Sequence, residues 1–244
     1  MPYGPDGRKS LVRPVVVRAV AYGHPRTPII VGYLMLFDMP YQRRVSTEGE
    51  SRLDVAYGDE GMRNLPHGTA YLLGATVFES NPEATISALL SLKGKQAKRL
   101  HWREMGRKAQ ADALRILGSS SARTTIVIAE GISAKRQERA RKKCLESLLI
   151  SLESKGILEL VMESRHPKQD SGDVACAGYL RSTGAIQSIR ITHEPGKQNP
   201  QLWISELVLG AYGDALSVDA NQSQQWLEAW ESVGELVTVE RAAL

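Results

Sequence analysis

Four carboxylates stand at strand ends or on apolar helix faces, where an uncompensated charge is expensive. Asp59 ends the run Leu53, Val55, Tyr57, Asp59, which a period of two places on one face of a strand, with Glu60 pointing the other way. Glu163 ends the run Ile157 to Glu163 and is followed at once by Ser164, Arg165 and His166. At roughly 100° per residue, Glu206 falls among Leu202, Trp203, Leu209, Gly210 and Gly213, a stripe of apolar and small residues that lets a helix approach another backbone closely. Glu104 opens a helix in the order His101-Trp102-Arg103-Glu104. Hard oxygen donors from several elements are what two-metal phosphoryl transfer needs. Two Mg²⁺ or Mn²⁺ ions sit roughly 4 Å apart, one activating water and the other stabilising the leaving oxygen.

Each carboxylate also has an ordinary structural reading. Glu104 suits the first turn of a helix through the helix dipole, Asp59 suits a turn before Gly61, and Glu163 suits an ion pair with Arg165. Zinc is disfavoured, because His101, His166 and His193 lack a second histidine or cysteine at ligand spacing. The specific signal is the combination of a first-strand Asp, a helix-start Glu, a later strand-end Glu and a last-helix Glu.

The elements that must hold these groups alternate between strand-like and amphipathic helical runs, the pattern of an α/β domain. Strands are expected over Leu53 to Asp59 and Thr69 to Phe78, joined by a hairpin-like turn over Gly61 to Gly68, then over Thr124 to Glu130, Ile157 to Glu163 and Ile186 to His193. The first helix is expected after an Asn81 cap, with Pro82 at its first position, and to end before Gly94. Further helices are expected over Glu104 to Leu117, Ala134 to Ser154, Asp173 to Ser182 with Asp173 as cap, and Pro200 to Leu216. In Ala134 to Ser154 the stripe is Ala140, Cys144, Leu145, Leu148, Leu149 and Leu152. A short helix capped by Ser223 is expected in the tail, with Trp226, Leu227, Trp230 and Val233 inward.

Composition bounds the rest. The 244 residues, 42% hydrophobic and 24% charged with net charge +4, describe an ordinary globular chain and exclude wholesale disorder. The charge is unevenly spread. Residues 93 to 143 hold 15 of the 31 Lys and Arg against four acids, an excess of 11 positive charges, whereas residues 200 to 244 hold one base against seven acids. The basic middle reads as a solvated face or as a polyanion-binding surface. Six of the eleven prolines fall in the first 54 residues, so residues 1 to 52 read as an extension, irregular or of edge strands. Its two apolar runs are shorter than the roughly 20 residues of a membrane span, and no cleavage-site pattern follows them. Cys144 and Cys176 read as reduced packing residues of a cytoplasmic protein. There is no phosphate-binding loop, no GxGxxG after a strand and no nucleophile elbow.

Taken in order, Asp59-Glu60-Gly61-Met62-Arg63, Tyr71-Leu72-Leu73-Gly74-Ala75, Arg99-Leu100-His101-Trp102-Arg103-Glu104, Glu163-Ser164-Arg165 and Leu202-Trp203-Ile204-Ser205-Glu206 with Gly210-Ala211 resemble an uncharacterised family, domain of unknown function 3800, whose fold is ribonuclease H-like. The resemblance covers about Leu53 to Leu216. It implies a mixed sheet flanked by helices over residues 53 to 216, an N-terminal extension over 1 to 52 and a C-terminal tail over 217 to 244. It further implies Asp59, Glu104, Glu163 and Glu206 as Mg²⁺ or Mn²⁺ ligands, with Asp173 in reserve. Two departures stand out: Gly61 replaces the family's usual Ser, and Glu206 replaces its usual Asp, which shifts where an ion would sit.

The expected function is metal-dependent phosphodiester cleavage, with nucleic acid as partner. Lys95, Lys98, Arg99, Arg103 and Arg107 form one phosphate-contacting group, and Arg136, Arg139 and Lys143 another. The alternative is a protein of the same fold that binds nucleic acid or regulates without cleaving. The acidic, Trp-containing tail adds a third role, contact with a second copy of the chain or with a protein partner. Fold alone does not choose among these.

Overall fold

A computed structural model of the chain describes residues 54–65, 68–94, 99–216 and 237–242. The expected extension over 1 to 52, Lys95, Lys98 and the Ser223 helix lie outside them. Strands β1 (Val55–Leu65), β2 (Gly68–Phe78), β3 (Ala122–Ile132), β4 (Glu159–Glu163), β5 (Arg190–Glu194) and β6 (Val237–Arg241) form one sheet in the order β5-β4-β1-β2-β3-β6. The β1–β2 and β2–β3 pairs are antiparallel, whereas β1–β4, β4–β5 and β3–β6 are parallel. This mixed sheet has helices on both faces, the α/β architecture expected from the sequence. The sixth strand comes from the C-terminal tail, beyond Leu216.

Period-two alternation divides the core in two. On one face Ala56, Leu73, Val127 and Leu160 pack against Cys144, Leu145, Leu148 and Leu149 of helix α3 (Gln137–Ser154) and Cys176, Ala177 and Leu180 of helix α4 (Pro167–Ser182). On the other, Leu72, Ile126 and Ile128 meet Leu89 of α1 (Glu83–Ser91), Leu114 and Leu117 of α2 (Arg107–Gly118), Trp102, and Ile204, Leu207 and Val208 of α5 (Leu202–Leu216). Both cysteines are free and buried as packing residues. No described helix is long and apolar enough to cross a membrane.

Several elements differ from their expected bounds for local reasons. The first strand runs on to Leu65, because Glu60 to Leu65 pair with Leu73 to Gly68 in an extended hairpin. Asn81 does accept the Glu83 N–H at 2.9 Å, but Pro82 precedes the first turn instead of lying in it. The helix expected from Glu104 is broken into a 3₁₀ turn, Trp102–Glu104, and α2, with Met105 and Gly106 extended between them. The break lets Trp102 bury completely, and Gln110 donates to the Trp102 carbonyl at 2.8 Å. Helix α4 begins at Pro167, with the His166 side chain accepting from the Lys168 N–H. Asp173 is therefore a buried mid-helix residue and not a cap. The stretch before β5 is not strand, since the Glu153 carboxylate accepts the backbone N–H groups of Gln187, Ser188 and Ile189.

Candidate metal centre

The strands β1, β4 and β5 all run in the same direction, and the chain passes from β1 to β2 on one side and to β4 on the other. Crevices outside the carboxyl ends of strands at such a reversal are the usual ligand sites of open α/β sheets. Asp59 and Glu163 lie there. The last parallel β1–β4 pair is Gly58 with Met162, so Asp59 and Glu163 are the next residues on the two strands. Both follow the alternation of Val55, Tyr57 and Val161, which face Leu202 of α5. Glu206, one turn on from Leu202, comes down on the same face.

Two devices bring α5 this close. Gly74 is the cross-strand partner of Asp59, and a Cβ there would stand 3.0 Å from Leu209 Cδ2. The absence of a side chain at Gly74 therefore gives Leu209 its seat. Next to Glu206, the Ser205 hydroxyl donates to the Tyr57 carbonyl of β1 and lies 2.9 Å from Thr76 Oγ1, itself 2.8 Å from Thr124 Oγ1. This buried hydroxyl chain ties the helix to three strands at a fixed height.

The electrostatics follow from that geometry. Burial pushes the Asp59 carboxyl well above its ordinary value; the Glu60 N–H at 2.8 Å offsets part of this, and the charges of Glu163, Glu206 and Glu60 push it up again. Burial likewise raises Glu206 to about 7, opposed by the Trp102 N–H, Arg99 and Arg63 and reinforced by Glu163. The Trp102 N–H donates to both Glu206 oxygens, at 2.9 and 3.1 Å, and His101 Nδ1 lies 3.4 Å from Oε1. Glu163 is held between Arg99, whose Nη1 is 2.6 Å from Oε1, and Gly196, where a Cβ would stand 2.5 Å from the carboxylate. Burial and the charge of Glu163 thus raise the proton affinity of both Asp59 and Glu206, which a cation among the three carboxylates would relieve. Their donors are all carboxylate oxygens, the chemistry suited to Mg²⁺ or Mn²⁺.

Glu104 is placed differently from the other three. It is exposed on the 3₁₀ turn, and among charges its influence falls on His101 and not on Asp59. Glu163 does not pair with Arg165, which turns to the opposite face of the sheet. The helix glycines accept side chains instead of the sheet: Gly210 leaves room for the Trp102 ring and Gly213 for Arg63. Arg63 donates to the Gly210 carbonyl at 3.1 Å and pairs with Asp214, which also accepts from Trp102 Nε1 at 2.7 Å.

On the far side of β1 lies a second polar cluster. Arg141 is 2% exposed, donates to Glu60, and grips Asp173 at 3.0 and 2.5 Å. Tyr71 donates to Glu60, Arg165 lies 3.4 Å from Asp173, and His193 Nε2 lies 3.1 Å from it. Burial opposes the charge of Asp173, but its hydrogen bonds to His193 and Arg141 and the two guanidinium charges outweigh that and hold it down at about 2. Asp170, Asp173 and His193 place ligand atoms within 4.8 Å of one another, the tightest such trio among the described residues. Two arginines on the same carboxylate repel a divalent cation, so this trio is an ion-pair network that braces β1 from behind. Arg141 escapes sequence reading because it sits in the basic run Arg139-Ala140-Arg141-Lys142-Lys143. Its spacing of four from Leu145 was the signal that it faces inward.

Of the phosphate-contacting candidates, Arg103, Arg107, Arg136 and Arg139 are exposed, and Lys143 pairs with Glu146 at 2.8 Å. Arg103 lies on the same 3₁₀ turn that carries Trp102 over Glu206.

No protein-family model matches the chain, and no curated protein matches it. Among solved structures it is similar to the crystal structure of a mutant of Bst-RNase HIII, a ribonuclease HIII, at 8% identity and a TM-score of 0.39. The match covers 80% of this chain and 61% of that one, so the chain spans less than two thirds of its neighbour's length.

Proposed function

We propose that the protein is a metal-dependent phosphodiesterase acting on nucleic acid, of the kind that the resemblance to domain of unknown function 3800 implies, with Asp59, Glu163 and Glu206 as its divalent-cation ligands. The observation that supports this reading is that carboxylates from β1, β4 and α5 lie where the parallel β1–β4 pairing ends, near enough for the charges of Glu163 and Glu206 to act on Asp59 and that of Glu163 on Glu206. Bound there, Mg²⁺ or Mn²⁺ supplies Lewis-acid polarisation of a phosphodiester and a nucleophilic water. The chain's own part is positional. Trp102 orients Glu206 through its backbone N–H, Gly196 leaves space for Glu163, and Glu60, gripped by Arg141 and Tyr71, fixes β1 beside Asp59. Arg103 and Arg107 offer the substrate backbone exposed positive charge. Glu104, exposed as it is, serves as a fourth ligand only through movement of the 3₁₀ turn.

Purified protein with Mg²⁺ or Mn²⁺ is expected to cleave DNA, RNA or a hybrid, and Asp59→Asn to reduce the rate to background. Equal rates for wild type and Asp59→Asn on all three substrates would overturn the reading. A non-cleaving nucleic-acid-binding protein has one observation in its favour, the occupation of Glu163 by Arg99. It predicts salt-sensitive binding with no divalent-ion requirement.

A further inference from the structure

The groups that face Glu163 and Glu206 come largely from one short stretch. Within four residues, Arg99 pairs with Glu163, His101 places Nδ1 beside Glu206 and Trp102 donates its N–H to Glu206. His101 Nδ1 is buried and makes no hydrogen bond, so its 3.4 Å approach to Glu206 is a contact of position alone. The charge of Arg99 reaches further than its partner, since it also favours the ionised form of Glu206. Its side chain is 30% exposed, so solvent reaches the pair.

We propose that Arg99 is a resident counter-ion of the metal centre, seated on Glu163 when no metal is bound and displaced toward solvent when a divalent cation takes that carboxylate. The proposal rests on the metal reading above and adds an exchange to it. A monovalent guanidinium held by one partly exposed pair has a modest hold. A divalent ion shared among three carboxylates gains more, because it relieves the repulsion among all of them at once. The displaced guanidinium is then free at the mouth of the site, where its planar fork matches two phosphate oxygens. The exchange makes cation loading and backbone recognition successive uses of one charge.

The experiment uses the full-length wild-type protein. Mg²⁺ binding is followed by calorimetry, and the rate at which phenylglyoxal modifies Arg99 is followed by mass spectrometry at each Mg²⁺ concentration, with exposed Arg136 and Arg139 as internal standards. Arg99 modification is expected to rise several-fold in step with Mg²⁺ saturation while the standards stay constant. Arg99→Gln, which keeps the stem and loses the charge, is expected to bind Mg²⁺ several-fold more tightly. In Asp59→Asn, Arg99 is expected to stay protected at every Mg²⁺ concentration. Saturating Mg²⁺ binding with an unchanged Arg99 rate would overturn the exchange and leave the metal reading standing. Absence of any calorimetric Mg²⁺ binding would overturn both.

Discussion

Glu206 is a carboxylate that the fold prefers protonated until something positive arrives. Its proton affinity rises from an ordinary value of 4.5 to about 7 in the folded chain. The folded state therefore binds that proton more tightly than the unfolded state does, and this contribution to stability is full below pH 4.5 and lost as pH rises through about 7. Glu206→Gln removes that slope. In chelator, its melting temperature relative to wild type is expected to climb between pH 4.5 and 8, and a pH-independent difference would contradict the burial argument. Asp173 has the opposite sign. Held at about 2 against an ordinary 3.8, it stabilises the fold above pH 3.8, and that contribution is lost as pH falls through about 2. Arg141→Ala removes the buried guanidinium that Glu60 and Asp173 share, at a cost of about 3–5 kcal/mol in chemical denaturation. At the residue scale Asp59, Glu163 and Glu206 stand out in the sequence as candidates, because strand and helix periods place them on faces without reference to the rest of the chain. Arg141 and Trp102 do not stand out as supports, because their partners lie far off in sequence, 32 residues for Arg141–Asp173 and 104 for Trp102–Glu206.

At the scale of elements, the site depends on how closely α5 approaches the sheet and how firmly the 3₁₀ turn sits on α5. Gly210 is the contact that decides the second. A Cβ there would overlap the Trp102 side chain, so Gly210→Ala is expected to lift the turn, withdraw the Trp102 N–H from Glu206 and destabilise the fold by about 1–3 kcal/mol. A red shift of tryptophan emission would accompany it. Gly172 in α4 meets nothing within 4 Å, and Gly172→Ala is expected instead to stabilise by about 0.4–1 kcal/mol. A similar loss at both positions would refute the packing role assigned to Gly210. The break between the 3₁₀ turn and α2 was invisible in the sequence, where Glu104 to Leu117 reads as continuous helix. Tertiary burial of Trp102 overrides local propensity there. The boundaries of α4 and β5 were misplaced for a related reason: the caps that set them, His166 and Glu153, act through side-chain geometry that periodicity does not encode.

For the whole molecule, the alternation of strand and helix was legible, since the α/β pattern is written in hydrophobic period, whereas the strand order β5-β4-β1-β2-β3-β6 was not read from it. The sixth strand was not. Val237 to Arg241 is short, follows a run of acids and pairs with β3 only across a large sequence separation. The molecule's charge asymmetry acts at this scale too, because exposed bases stand along the route to the carboxylates. Nucleic-acid affinity is expected to fall linearly in log–log salt titration, and Arg103→Ala and Arg107→Ala each to lessen the slope by about 0.9 on duplex DNA. An unchanged slope in both would remove these residues from the phosphate-contacting set. On the proposed function the cation sits among Asp59, Glu163 and Glu206 and not at the tighter trio behind β1. Anomalous scattering from crystals grown with Mn²⁺ tests it most directly. Density bounded by Asp59, Glu163 and Glu206 is the predicted result, whereas density at Asp170, Asp173 and His193, or none at either position, would contradict it.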